Sequence, residues 1–94
     1  MPAYVIVQVD IFDNEKYDEY KKLTPDTVKA HGGKFVLRGS PVEVLEGEWD
    51  HNRLVMLEFP DKESARNWYY SKEYQKAKEI RSSGSSAKFI LIEG

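Results

Sequence analysis

The segment Arg53–Phe59 constrains the fold most, because five of its seven residues are apolar. An apolar run of this kind is typical of a β-strand that is covered on both faces. Pro60 and Asp61 end the strand, since proline cannot donate to a sheet ladder and aspartate is a favoured N-cap. An amphipathic helix is predicted over 62–69. A strand that is buried on both sides and leads directly into a helix belongs near the centre of a sheet.

The other segments can be placed around this strand. Residues 3–11 alternate between apolar and mixed positions, as a strand with one buried face does. The predicted elements are a strand over 3–11, a helix from Asp13 to Gly32, an edge strand over 34–39 that continues over 42–47, a strand over 53–59, helices starting at Asp61 and Ser71, and a strand over 87–93. This β-α-β-β-α-β order predicts one α+β domain over residues 1–94, a ferredoxin-like plait. Its four-stranded antiparallel sheet has the helices on one face.

Three segments interrupt these elements. Pro25 lies inside the first helical pattern, so that helix either kinks there or restarts with Thr24 as the cap of a second piece. The Gly-Ser-Pro segment at 39–41 predicts a bend or bulge in the edge strand. The serine-rich run at 82–86 predicts a flexible connector between the last helix and the last strand.

Both faces of the predicted sheet carry large apolar side chains. One set is Ile6, Leu54, Met56, Ile90 and Ile92, and the other is Val5, Val7, Val55, Leu57, Phe89 and Leu91. Whichever set faces the helices, the other forms a patch too large to leave in water. We therefore expect a homodimer in which two copies pack sheet on sheet.

Composition excludes several classes of function. The chain has 94 residues, a net charge of −2 and no cysteine, which removes disulfides and thiolate chemistry. An acidic balance gives no field to attract nucleic acid, and the central strands are mainly aliphatic, whereas RNA-recognition domains need aromatic residues there for stacking. No apolar run approaches membrane length, and the N-terminal residues show no targeting signal. We expect a cytoplasmic protein that binds neither nucleic acid nor membrane.

A series of short segments resembles a known family. They are His31–Gly39, Leu45–Trp49, Leu57–Asp61, Trp68-Tyr69 and Ser71–Tyr74, followed by Arg81. Together they resemble the small bacterial proteins grouped as domain of unknown function 1330, or DUF1330. The resemblance implies a dimeric α+β barrel, an architecture that antibiotic-biosynthesis-type monooxygenases also use. It implies no reaction, since fold alone does not fix function.

Aromatic residues are unusually dense on the predicted helices. Tyr17, Tyr20 and Trp68 would line a cleft between helices and sheet that holds a planar organic ligand. The alternative is that an aromatic stripe at helical spacing is simply core. Trp68, Tyr69 and Tyr70 cannot all face inward, so part of this set must lie at a rim or an interface.

Two arginines are candidate ligand-binding residues. Arg38 would clamp a carboxylate bidentately, or it would pair with Glu46, Glu58 or Asp10 inside the dimer, which is the interpretation that we favour. Arg81 would place its cation over the aromatic set or hold an acidic ligand. Its alternative role is to complement the dipole at a helix C-terminus.

Histidines are the remaining candidates for proton transfer. His31 follows the helical stripe and adjoins the Gly-Gly pair, so it is a tentative catalytic residue or a haem ligand. We favour its alternative role as a helix-terminal histidine that the dipole stabilises. His51 lies in a polar turn and is interpreted as solvated surface. Two separated histidines without cysteine predict no metal site, and no cofactor is predicted.

Two functional hypotheses follow. The first is a homodimeric protein that binds a small planar or acidic organic ligand. In its catalytic version, this hypothesis makes the protein a cofactor-independent enzyme that acts on that ligand. Its pocket would be lined by Tyr17, Tyr20, His31, Arg38, Trp68 and Arg81. The second is a non-catalytic dimeric module with no ligand pocket. A cavity of a few hundred cubic ångströms that reaches polar groups of this set would favour the first hypothesis.

Overall fold

Seven elements make up the chain, and the computed structural model describes all residues from 1 to 94. In order they are β1 (Ala3–Ile11), α1 (Asn14–Ala30), β2 (Lys34–Pro41), β3 (Arg53–Phe59), α2 (Lys62–Tyr69), α3 (Lys72–Gly84) and β4 (Ser85–Glu93). The strands form one antiparallel sheet in the order β2-β3-β1-β4. The predicted α+β ferredoxin-like architecture is therefore confirmed, and so is the central position of β3.

The core lies between the helices and one face of the sheet. Every second residue of β1 faces it: Val5, Val7 and Val9 are buried, whereas Ile6 and Gln8 between them are only half-buried. The largest fully buried side chains are Trp68, Tyr74, Phe59, Leu57, Val9 and Val28. The period of two in the sequence thus decides which side of the sheet the helices cover.

Each helix begins at the cap that the sequence predicts. The side chains of Asp13, Asp61 and Ser71 accept a hydrogen bond from the backbone N–H three residues on. α1 runs through Pro25 as one helix, which decides against a second helical piece. Thr24 is not a cap there, because its hydroxyl donates to the Tyr20 carbonyl at 2.8 Å.

The edge strand β2 is shorter than predicted. Its pairing with β3 shifts register at two places, one of them between Arg38 and Ser40, which confirms the predicted bulge. The expected continuation over 42–47 is wrong, because β3 begins at Arg53 opposite Pro41 and leaves the next residues without a partner strand. After a single bond from the Val42 N–H to the Asn52 carbonyl, the chain forms a loop.

The serine-rich run is not a flexible connector, so that prediction is wrong. α3 continues to Gly84 and β4 starts at the next residue. The hydroxyls of Ser83 and Ser85 donate to the Ile80 and Arg81 carbonyls at 2.7 and 2.8 Å. The Gly84 carbonyl accepts the N–H groups of Phe12 and Asp13, which directly follow β1, both at 3.0 Å. These hydrogen bonds satisfy the helix end and override the local preference of serine for loops.

The other face of the sheet carries an apolar row. The register places Leu37, Met56, Ile6 and Ile90 side by side across all four strands. Ile90 and Leu37 are 54% and 38% exposed, so a single copy of the chain leaves this row open to water. No helix has both the length and the apolar character needed to cross a membrane.

The close packing of Gly84 yields a stability prediction. A Cβ at this position would lie 2.8 Å from the Cβ of Lys16 and 2.9 Å from the Asp13 carbonyl oxygen. We expect Gly84→Ala to lower the free energy of unfolding by about 1 kcal/mol or more in urea denaturation, since α1 must shift.

The exposed Ser82→Ala is the matched control and should change stability by less than about 0.5 kcal/mol. Equal, negligible effects of both substitutions would mean that the run is a loose connector after all.

Candidate ligand cavity

A cavity of about 430 Å³ lies between α1 and the helix-covered face of the sheet. Five of the six residues that the sequence predicts for a pocket line it: Tyr17, Tyr20, Arg38, Trp68 and Arg81. They come from α1, β2, α2 and α3, and the fold brings them together although they are far apart in sequence. His31 is the one that the structure does not bring there.

Arg81 lies deepest among the charged residues of the cavity. It belongs to the last turn of α3 and is only 6% exposed. Its guanidinium carbon lies 4.7 Å from the Phe89 ring centre and 6.0 Å from that of Tyr20. None of the ion pairs of the chain includes Arg81, and its Nε atom is buried without a hydrogen-bond partner. A buried cation without a carboxylate is energetically costly in a protein interior.

Tyrosines form one wall of the cavity. The Tyr20 and Tyr74 hydroxyls are hydrogen-bonded to each other at 2.9 Å, and the Tyr17 ring centre lies 5.4 Å from that of Tyr20. Burial raises the pKa of Tyr17 to about 12, and Tyr20 adds to the rise, although the charges of Arg81, Arg38 and Arg53 oppose it. Burial also raises the pKa of Tyr20 and of Tyr74. These phenols therefore stay neutral at physiological pH.

Trp68 lines the cavity as part of the core. Its side chain is fully buried, and its indole N–H donates to the Thr27 hydroxyl at 3.1 Å. Its ring centre lies 4.2 Å from that of Tyr74. Tyr69 is half-buried and Tyr70 is 74% exposed, as expected if the three neighbours cannot all face inward.

Arg38 and Arg53 are exposed and line the outer part of the cavity. Arg38 pairs with no carboxylate of its own chain, so the pairing expected inside the dimer stays a prediction. Its Nη2 donates to the Lys21 carbonyl at 3.1 Å, and Glu58 pairs with Lys34 instead. Sequence reasoning missed Arg53. Its position two residues before Val55, on the same strand face, is the signal that would have indicated it.

The histidines lie outside the cavity. His31 is the C-cap residue of α1, and its backbone N–H donates to the Val28 carbonyl at 3.1 Å. His51 is not solvated surface, which corrects the sequence interpretation. Its side chain is 11% exposed, and its Nδ1 lies 2.6 Å from Asp10 Oδ2. No local signal reveals this contact, because it joins residues 41 positions apart. No three metal-ligating side chains come together in the chain.

Solved structures with this fold include proteins of known and unknown function. RPA0582 from Rhodopseudomonas palustris, a protein of unknown function, shares 18% identity at a TM-score of 0.80, over 99% of this chain and 82% of that one. A dimeric ferredoxin-like protein of unknown function from Jannaschia sp. CCS1 shares 14% at 0.76, over 100% of both chains. SnoaB, a cofactor-independent oxygenase from Streptomyces nogalater, shares 12% at 0.68, over 99% and 92%. At such identities the likeness shows the fold alone.

The sequence comparison gives the family. No match was found among curated proteins. The family model described as "Domain of unknown function (DUF1330)" matches residues 2–94. Because that match covers nearly the whole chain, this protein belongs to the DUF1330 family, as the resemblance of its motifs predicted.

Proposed function

We propose that this protein is a homodimeric small-molecule-binding protein whose cavity holds a small, planar, anionic organic ligand. The observation that carries the proposal is the buried Arg81 guanidinium, which lines the cavity without a carboxylate partner. A carboxylate or enolate oxygen placed against the guanidinium would neutralise the charge. Hydrogen bonds between guanidinium and carboxylate are among the strongest in proteins, and more so where water is excluded.

The walls of the cavity suit a planar ligand body. Tyr17, Tyr20 and Phe35 present aromatic surface, and Val7 and Val55 add aliphatic surface from the sheet. The volume of about 430 Å³ lies within the range of about 300–1,000 Å³ that is usual for small-molecule sites. An apolar pocket with a few convergent polar groups is the usual form of a ligand site. The alternative of a module without a pocket, with every arginine paired to a carboxylate, is not supported by this geometry.

The same arrangement suits a cofactor-independent reaction. An acidic substrate that loses a proton forms an anion, and a positioned guanidinium stabilises that anion as it develops. Arg81 and the neutral Tyr17 hydroxyl are the donors that this role requires. The structural likeness to the cofactor-independent oxygenase SnoaB is compatible with such chemistry and selects no reaction.

The dimer is proposed from the apolar row on the open face of the sheet. Leu37, Met56, Ile6 and Ile90 form a continuous surface of the kind that monomers rarely expose. A second copy packed on this face by a twofold axis would cover both rows at once. Two structurally similar proteins of unknown function are dimeric, which supports the proposal.

Ligand binding can be tested with para-fluorobenzoate, a planar anion, and its binding can be measured by fluorine NMR. We expect the wild-type protein to bind the probe and Arg81→Met to lose at least about tenfold in affinity, which is about 1.4 kcal/mol. The variant should unfold at higher urea concentration, because it removes an unpaired buried charge at a cost of little volume. Lys76→Gln, which removes an exposed charge from α3, is the control and should bind normally. Equal affinity of wild type and Arg81→Met would refute the assignment.

The raised pKa of Tyr17 gives a pH dependence. The folded protein holds this proton to about pH 12, whereas the unfolded chain releases it near pH 10. The stabilisation is therefore complete below pH 10 and is lost as the pH rises towards 12. We expect Tyr17→Phe to remove this part of the alkaline fall in unfolding free energy. Substituting the exposed Tyr70 by Phe should leave it in place.

Sedimentation equilibrium tests the dimer. We expect a mass of twice the 10.9 kDa protomer at micromolar concentration. Ile90→Lys should shift the protein to monomers, because it places a charge in the apolar row, at an exposed strand position outside the core. Tyr70→Lys, an exposed substitution on the helix side, should remain dimeric. A wild-type monomer at these concentrations contradicts the proposal.

A further inference from the structure

Two arginines at the outer part of the cavity are each held by a hydrogen bond to a backbone carbonyl. Arg38 and Arg53 are exposed, both line the cavity, and neither takes part in an ion pair. Each donates instead to one backbone carbonyl: Arg38 Nη2 to Lys21 at 3.1 Å, and Arg53 Nη1 to Gly39 at 2.9 Å. A backbone carbonyl fixes a guanidinium in place without neutralising its charge, and it leaves the remaining N–H groups available.

The Lys21 carbonyl is available to Arg38 because of Pro25. In a regular helix this oxygen would accept the N–H of residue 25, four positions on. Proline has no N–H, and its ring pushes the carbonyl of residue i−4 aside. α1 nonetheless continues through this position, so the helix carries one carbonyl that lacks its backbone donor. Arg38 of the facing strand β2 supplies the donor.

The Gly39 carbonyl is available to Arg53 because of the bulge in β2. The register skips Gly39 between Arg38 and Ser40, and its φ of +85° takes it out of the extended conformation. A bulged residue is left out of the ladder of strand hydrogen bonds. Two independent backbone irregularities, one in a helix and one in a strand, therefore hold two cations at the same end of one cavity.

The charges around this end favour an anion. Lys21 also lines the cavity, and the carboxylates there are Asp10 and Asp18. Asp10 is already engaged by His51 at 2.6 Å and lies 3.4 Å from the Asn52 N–H. The charges of Arg38, Arg53 and the buried Arg81 all lower the pKa of Tyr17, so the three guanidinium groups lie around one tyrosine of the cavity wall.

We propose that Arg38 and Arg53 form a second anion subsite at the mouth of the cavity, and that the ligand is an elongated dianion. One acidic group of the ligand lies against Arg81 inside the cavity, the planar body lies among the aromatic walls, and the other acidic group lies between the two arginines at the mouth. This inference rests on the proposed function, since it uses the same cavity, and it names the ligand class as planar organic dicarboxylates and their equivalents.

The test compares two probes of the same shape and different charge. Fluoroterephthalate carries a carboxylate at each end of its ring, and its monomethyl ester keeps one. In fluorine NMR titrations of the full protein we expect the dianion to bind about tenfold more tightly, a gain typical of charge-assisted pairs held by arginine. The ratio of the two affinities is the quantity that the subsite controls.

Variants at the mouth should change that ratio. The double substitution Arg38→Gln with Arg53→Gln should bring it to about one. Pro25→Ala should lower it as well, because alanine supplies the missing N–H and returns the Lys21 carbonyl to the helix, while the protein becomes more stable to urea. A purely structural role for Pro25 would not produce higher stability together with a lower ratio. Lys76→Gln, at an exposed residue that does not line the cavity, removes the same charge as one arginine substitution and should leave the ratio unchanged.

The outcomes separate this inference from the proposed function. Binding of neither probe overturns both. Binding of both probes with equal affinity overturns the mouth subsite and leaves the proposed anion site at Arg81 intact. A dianion preference that survives the double substitution also overturns the subsite, because the second acidic group must then be held elsewhere.

Discussion

The cavity depends on how α1 is held over the sheet. Trp68 of α2 and Tyr74 of α3 pack against each other with ring centres 4.2 Å apart, and Trp68 also packs on Phe59 of β3. α1 is joined to this aromatic group by two buried hydrogen bonds, from the Trp68 indole to Thr27 and between Tyr20 and Tyr74. Because these contacts fix α1 from the side of the other helices, space is left between α1 and the strands beneath it. That space is the cavity, so core packing and the proposed ligand site share the same residues.

Local signals explain which features could be predicted from the sequence. The caps at Asp61 and Ser71 and the alternation of β1 depend on residues close together in the chain, and the fold order follows from them. The serine run at 82–86 is ordered, contrary to the prediction, because the distant N–H groups of Phe12 and Asp13 bind the helix end. The strand expected over 42–47 does not form, because no other strand lies beside these residues to pair with them. Both errors concern contacts that no short window contains.

The candidate site shows the same difference between local sequence signals and contacts of distant residues. Residue type alone indicates Arg81 and the tyrosines, because a cation and aromatic side chains on helices suggest a polar pocket with apolar walls. It does not indicate that Arg38 would bind a helix carbonyl, or that His51 would contact Asp10. The overall charge of −2 is equally uninformative about the cavity, where four cations and two carboxylates line the surface. In an acidic protein, a local excess of positive charge favours acidic ligands at that place, which is the basis of the proposed ligand class.

Pro25 and Gly39 are departures from ideal backbone that support the proposed anion subsite. Proline in a helix interior and a bulged glycine in a strand each weaken the element that contains them. Both lie beside the cavity, and both release a carbonyl that an arginine of a neighbouring element uses. A carboxylate in place of either carbonyl would hold the guanidinium as firmly but would cancel the charge that attracts a ligand. Uncharged anchors therefore keep two cations both ordered and unneutralised, which a surface ion pair cannot do.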